Sequence, residues 1–99
     1  MDSNIFIKNY QKIYEMELRL IKYLKEDWEI NYYPIIHNIM ESFKIDDILT
    51  RSWFSSALIH LENRKFISIG KDLKGIYRIY EGSERIPNMY DFSDFWGGI

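Results

Sequence analysis

The stretch of residues 50–80 constrains the fold most, because the spacing of its apolar side chains changes part-way along it. Up to Arg64 the apolar residues recur every three or four positions, which is typical of one buried face of an α-helix: Phe54, Ala57, Leu58 and Leu61. Residues 66–69 and 76–80 are instead rich in β-branched and aromatic side chains, and residues 70–75 between them hold two glycines and two lysines. We therefore predict a helix that runs directly into a β-hairpin with a six-residue basic tip.

The other face of this predicted helix carries side chains that can hydrogen-bond to a partner. The helix is expected to start at Thr50 or Ser52, whose hydroxyl groups can accept from the free N–H groups of a first turn. Opposite the apolar positions lie Ser52, Ser55, Ser56, Ile59 and Asn63, with Arg51 and His60 at the margins. Trp53 has two interpretations: it covers the core near the helix start, or it lies exposed as an anchor for a partner.

Two further helices are predicted before this stretch. Residues 8–27 lack glycine and proline and are rich in good helix formers, whereas residues 1–7 are expected to form a loose or extended lead. A β-prone link at residues 28–32 precedes a second helix, which begins at Pro34 and ends near Lys44. Its buried face is predicted to hold Ile35, Ile36, Ile39, Met40 and Phe43. Residues 45–49 form the turn into the third helix, where Ile45, Ile48 and Leu49 are expected to pack on the core.

The first predicted helix carries two neighbouring apolar stripes, which is more than one small domain readily buries. One stripe consists of Ile13, Met16, Leu20 and Leu24, and the other of Tyr10, Tyr14, Leu18 and Ile21. The second stripe is a candidate homodimer interface, since identical helices can pair through the same patch. Packing within the chain, against the amino-terminal lead or the carboxy-terminal tail, is the alternative.

The order helix, short strand, helix, turn, helix and hairpin resembles the winged helix-turn-helix family of DNA-binding domains. The phrase SSALIHLENRKFI at residues 55–67 looks like that family's recognition helix passing into its first wing strand. The resemblance covers about residues 10–81 and implies an α+β winged helix-turn-helix domain at residues 1–81, with three main helices and a C-terminal two-stranded β-hairpin wing. It also implies that a recognition helix at about residues 51–64 enters the major groove of duplex DNA, and that the tip of a wing at about residues 66–80 lies along a phosphate backbone or the adjacent minor groove.

On this resemblance we expect nine side chains to contact double-stranded DNA. Those of the helix are Arg51, Ser52, Ser55, Ser56, His60 and Asn63, and those of the wing are Lys71, Lys74 and Arg78. The net charge of the chain is −2, but residues 50–80 hold six basic and two acidic side chains, a local charge of +4. Residues 1–49 and 81–99 are each −3. Because the positive charge is concentrated in the segment that would face DNA, the distribution favours a sequence-specific transcriptional regulator.

Residues 82–99 form a tail that leads to a second hypothesis. It interleaves five large apolar side chains with two acidic ones: Met89, Tyr90, Phe92, Phe95 and Trp96 with Asp91 and Asp94. Such a tail either folds back over the second stripe of the first helix or inserts into a groove of a host protein. The alternative function is therefore a winged-helix protein-interaction module that binds no DNA. Abundant Ile, Lys, Asn and Tyr with scarce Ala indicate an AT-rich coding sequence, which is a hint of a small viral or plasmid factor.

Other classes of function find no pattern in the sequence. The two histidines stand 23 residues apart and there is no cysteine, so we expect no metal site and no thiol chemistry. No phosphate-binding glycine loop or nucleophile elbow occurs, so we expect neither catalysis nor a cofactor. With no apolar run of about 18 residues and no signal peptide, a cytoplasmic protein without a membrane span is the expectation.

Overall fold

Three helices and then an antiparallel hairpin make up the computed structural model, which describes residues 3–29 and 33–86. The elements are α1 (Ser3–Glu29), α2 (Ile36–Ser42), α3 (Ile48–Asn63), β1 (Ile67–Lys71) and β2 (Tyr77–Glu81). The described chain is therefore α+β, as the change of apolar spacing after Arg64 predicted. Its layout is compatible with that of a winged helix.

Helix α1 extends beyond both predicted ends. Its 27 residues contain no glycine or proline, so no residue in it breaks the backbone hydrogen bonding before Glu29. The backbone is helical from Ser3, so the expected loose lead is wrong for residues 3–7. Trp28 and Glu29 belong to the helix and not to a strand. The rest of the expected β-prone link, residues 30–32, lies outside the described residues.

The core forms mainly between α1 and α3. Each fully buried leucine there contributes on the order of 1.5–3 kcal/mol through apolar surface removed from water. The buried face of α3 is the predicted one: Phe54, Ala57, Leu58 and Leu61. On α1 the buried residues are Met16, Glu17, Leu20, Ile21 and Leu24. The prediction for α1 thus needs two corrections, because Ile21 joins the core from the second stripe and a glutamate is buried between the apolar residues.

A second small contribution to the core comes from α2 and the turn after it. Ile39 is fully buried, while Phe43 is half-buried and meets the ring of Phe54 edge-on, with 6.3 Å between ring centroids. Lys44 takes a left-handed conformation with φ of 56° and ends the helix. The amide of Ile45 then donates back to the carbonyl of Met40 at 3.0 Å, which brings Ile45 into the core.

The start of α3 differs from the prediction. Asp47, and not Thr50 or Ser52, caps the helix, because its carboxylate accepts from the Thr50 amide at 2.8 Å and from the Thr50 hydroxyl at 2.7 Å. Helix α3 consequently begins at Ile48, three residues earlier than the predicted recognition helix. Ile48 is 87% exposed and Leu49 is 55% exposed, so the expectation that these two residues pack on the core is wrong.

The hairpin pairs β1 with β2 in one register, with Ile69 opposite Ile79. Its loop has three residues, 73–75, and not the six that the glycines suggested, because Gly70 and Lys71 continue the strand. Gly75 has φ of +79° and follows a tight turn, a combination that is common in hairpins with three-residue loops. The predicted strands are therefore correct in kind and shifted by one or two residues.

The segment before α2 runs beside β2 and extends this small sheet. The amide of Ile79 donates to the carbonyl of Pro34 at 3.0 Å, and Ile35 forms an isolated bridge with Arg78. The short strand-like contact expected at residues 28–32 thus occurs at Ile35, and α2 begins at Ile36 instead of Pro34. Ile86, which follows β2 in the chain, is also buried. Residues 87–99, to which the two tail hypotheses mainly refer, lie outside the described residues.

Candidate nucleic-acid interface

The outer face of α3 displays most of the predicted helix contacts. Arg51, Ser52, Ser55 and Asn63 are exposed, and Ser56 is half-buried. With 3.6 residues per turn, positions 52, 55 and 63 lie opposite the buried face, whereas position 51 lies at the edge nearer the buried Leu58. This face offers short hydroxyl and amide groups along its length and one guanidinium near its start.

The same face also carries two exposed isoleucines, one of which was expected to pack on the core. Ile48 lies one turn before Ser52 and Ile59 lies one turn after Ser55, and their side chains are 87% and 55% exposed. Ile59 was placed on the polar face, but Ile48 was assigned to the core. The signal that would have found it is Asp47, a residue type that caps helices well and that stands three positions before Thr50.

His60 points away from this face and towards α1. Its Nδ1 lies 3.2 Å from Oε1 of Glu17, and its side chain is 26% exposed, whereas the Glu17 side chain is fully buried. Burial lowers the pKa of His60. Because its ring is held between the two helices, His60 does not lie with the other predicted DNA contacts.

Trp53 has a position that neither sequence interpretation described fully. It is half-buried, and its Nε1 donates to Oδ1 of Asn9 on α1 at 3.3 Å. Trp53 therefore helps to fix the angle between α1 and α3, together with the contact between His60 and Glu17.

The wing presents two of its three predicted basic side chains to solvent. Lys71 and Lys74 are exposed. The Lys71 Nζ lies 5.1 Å from the centroid of the Tyr77 ring, close enough for a cation–π contact that limits the freedom of the ammonium group. Both ammonium groups remain on the surface of the hairpin, where a negatively charged ligand can reach them.

Arg78 has a structural contact in place of the expected free guanidinium. Its Nε donates to Oδ2 of Asp72 at 2.7 Å, and its Nη1 donates to the carbonyl of Tyr33 at 2.8 Å. The hydrogen bond from Arg78 is the largest cause that lowers the pKa of Asp72, followed by the amide of Ile76. The other Asp72 oxygen accepts from the amides of Lys74 and Ile76. Arg78 thus joins the wing turn to the segment before α2, and we remove it from the expected phosphate contacts.

The junction between α3 and β1 fixes where the wing stands relative to the helix. Lys65 has φ of 66°, and its amide donates to the carbonyl of Glu62 at 2.9 Å, while the amide of Phe66 donates to the carbonyl of Leu61 at 3.1 Å. These two bonds define a Schellman motif. The Glu62 carboxylate also accepts from the amide of Ile69 in β1 at 3.1 Å. Helix and wing therefore form one hydrogen-bonded unit.

The residues expected at a dimer interface do not share one surface. Ile21 is buried in the core of its own chain at 6% exposure, so it is not available to a partner. Tyr10 and Tyr14 are half-buried, and Leu18 is 38% exposed. The second stripe is thus split between the core and the solvent side of α1.

The described residues were also expected to contain neither a metal site nor a membrane span. Among residues 3–29 and 33–86, no three His, Cys, Asp or Glu side chains are grouped so as to hold a metal ion. None of the described helices combines the length and apolarity needed to cross a lipid bilayer. A cleft of about 480 Å³ is lined by Lys25, Trp28, Phe66 and residues 81–86, away from the outer face of α3.

Comparisons of the chain with protein-family models, with curated proteins and with solved structures found no match. Any functional inference therefore rests on the geometry of the described residues.

Proposed function

We propose that this protein binds double-stranded DNA as a regulator of transcription, with α3 in the major groove and the wing on the phosphate backbone. The observation that carries the proposal is that the exposed hydroxyl-rich face of α3 and two exposed wing lysines belong to one rigid unit. An α-helix fits the major groove, and a hairpin beside it can reach the adjacent backbone.

Two acidic side chains of this unit, Asp47 and Asp72, accept internal hydrogen bonds. Asp72 binds Arg78 and two amides of the wing turn, so its charge is offset within the hairpin. Asp47 caps α3, and the Thr50 amide is the largest cause that lowers its pKa. Arg78 therefore offsets the charge of Asp72, whereas Asp46 and Asp47 are both exposed at the start of α3 and their negative charge opposes the binding of DNA there.

The cations that remain for phosphate are few, which sets the expected salt dependence. Lys71 and Lys74 are exposed on the wing, and Lys65 is exposed at the junction between α3 and β1. Each phosphate contact contributes about −0.9 to the slope of log K against log salt, so three contacts give a slope of about −3. We thus expect modest affinity for random DNA, with sequence preference supplied by α3.

Base recognition falls to the outer face of α3. Ser52, Ser55 and Asn63 can donate to or accept from base edges, and Arg51 can pair with guanine through two hydrogen bonds. Ile48 and Ile59 are placed to meet the methyl groups of thymine, the apolar feature of the major groove.

The same two isoleucines support a second candidate function, the binding of a protein partner. Ile48, Leu49 and Ile59 are each at least half exposed on one helix, and exposed large apolar side chains of this kind are typical of protein interfaces. A protein partner would bury them and would not require the wing lysines.

A salt-dependent titration of fluorescently labelled mixed-sequence duplex separates the two candidates. Lys71→Ala combined with Lys74→Ala should lower affinity for all sequences and reduce the salt slope by about two units. The matched control removes two lysines of α1, Lys12→Ala with Lys22→Ala, which changes the net charge equally on the far side of the core. If both double variants have the same effect, or if the wild type does not bind duplex at about 50 mM salt, DNA binding through this face is wrong.

A further inference from the structure

The tip of the wing presents an apolar side chain to solvent near two lysines, and the side chains of Ile76 and Tyr77 beside it are partly exposed. Leu73 is fully exposed, and Lys71 and Lys74 on either side of it are exposed as well. A single exposed leucine is ordinary on a protein surface. Here it stands at the outermost point of the hairpin, on the element that the proposed function places against DNA.

The turn that carries Leu73 is held by hydrogen bonds on both sides. The amide of Gly75 donates to the carbonyl of Asp72 at 2.9 Å, and the amide of Asp72 donates to the carbonyl of Ile76 at 2.9 Å. The carboxylate of Asp72 accepts from the amides of Lys74 and Ile76 at 2.8 and 3.0 Å. Leu73 and Lys74 thus occupy the two central positions of a fixed turn, whose acidic side chain faces inward.

We propose that Leu73 is an apolar wedge that enters the minor groove and partly unstacks one base step, while Lys71 and Lys74 contact the phosphates beside it. This inference rests on the proposed DNA binding and adds a second, apolar contact to it. Proteins that bend DNA from the minor groove insert leucine and similar side chains between base steps and flank them with cations. A rigid turn suits this role, because a mobile tip would lose conformational entropy on insertion.

The chemistry around Leu73 favours nucleic acid over the other surfaces that bind apolar tips. The exposed ammonium groups of Lys71 and Lys74 favour an anionic partner. Leu73 with the partly exposed Ile76 and Tyr77 offers less apolar surface than the amphipathic helix face that holds a protein on a bilayer. One leucine does match the space that opens at a single unstacked step. Pyrimidine–purine steps unstack most easily, so the wedge predicts a preference for duplexes that contain TA and CA steps.

Energy transfer between dyes at the two ends of a duplex tests the wedge. One duplex carries central TA and CA steps, and a second of equal length carries an A-tract. The wild type should bend the first duplex and bind it at least about threefold more tightly than the second, because stiff A-tracts resist kinking. Leu73→Ala should leave the first duplex straight and bind both duplexes equally, with an unchanged salt slope because both lysines remain. Leu73→Met, which keeps an apolar side chain of similar volume, should bend the duplex like the wild type.

The outcomes separate this inference from the proposed function. Binding without bending, or bending that Leu73→Ala leaves intact, overturns the wedge and leaves DNA binding in place. No binding of either duplex overturns both. Binding to phospholipid vesicles that Leu73→Ala abolishes, with the duplex left straight by the wild type, would assign Leu73 to a membrane surface and overturn the wedge.

Discussion

Replacing Lys65 by glycine should stabilise the protein, although it removes a side chain from the junction between α3 and the hairpin. Lys65 has φ of 66°, a conformation that costs an L-residue about 1–2 kcal/mol, chiefly because its Cβ crowds the carbonyl oxygen that follows it. Glycine avoids that cost but loses about 0.5–1 kcal/mol more backbone entropy on folding. The expected net gain therefore lies between about 0 and 1.5 kcal/mol and is centred on about 0.8 kcal/mol. A gain of about 0.8 kcal/mol raises the Tm of a domain of this size by about 3–6 °C.

Lys65→Ala is the matched control, because it removes the same charge and keeps the Cβ. Thermal unfolding followed by circular dichroism should place its Tm within a few degrees of the wild type, or about 0.5 kcal/mol. The two variants together separate the backbone effect from the charge effect. A Tm for Lys65→Gly equal to or below that of Lys65→Ala would refute the argument that the left-handed conformation is strained.

Two further predictions concern the wing. Gly82→Ala should lower the free energy of unfolding, measured in urea, by about 1–3 kcal/mol, because a Cβ there would stand 2.1 Å from the carbonyl oxygen of Lys65. The control is Ser83→Ala at an exposed position, which should change the free energy of unfolding by less than about 0.5 kcal/mol. The free energy of unfolding of the wild type should fall as the pH drops below about 4. The hydrogen bond from Arg78 lowers the pKa of Asp72, so the ionised Asp72 carboxylate stabilises the fold, and this stabilisation is lost as the pH falls through the lowered pKa. Asp72→Asn should flatten this acid dependence, and an unchanged profile would show that the contact does not contribute.

Sequence periodicity predicted the elements of this fold because local spacing determines which face of each is buried. The four buried positions of α3 follow from a period of 3.6 residues. The hairpin follows from the β-branched and aromatic residues on both sides of a segment that begins and ends with glycine, residues 70–75. The loop was predicted too long because Gly70 was read as a turn residue, although it pairs with Arg78 inside the sheet.

The candidate site was harder to predict because its exceptions depend on contacts between distant residues. Helical spacing places His60 at the margin of α3, but only the carboxylate of Glu17, 43 residues away, turns it towards α1. Strand alternation places Arg78 on an exposed face, but the turn brings Asp72 back to its guanidinium. Pairings between side chains that the chain brings together only on folding leave no periodic signal in the sequence.

The central claim is that the outer face of α3 and the wing bind duplex DNA. Titration of ¹⁵N-labelled protein with a mixed-sequence duplex, followed by amide chemical shifts, tests it residue by residue. We expect the largest shifts at Arg51, Ser52 and Ser55 and at Lys71 and Lys74, with the exposed face of α1 little changed. Shifts confined to α1, or no shifts with excess duplex at about 50 mM salt, where electrostatic attraction to DNA is strong, would contradict it.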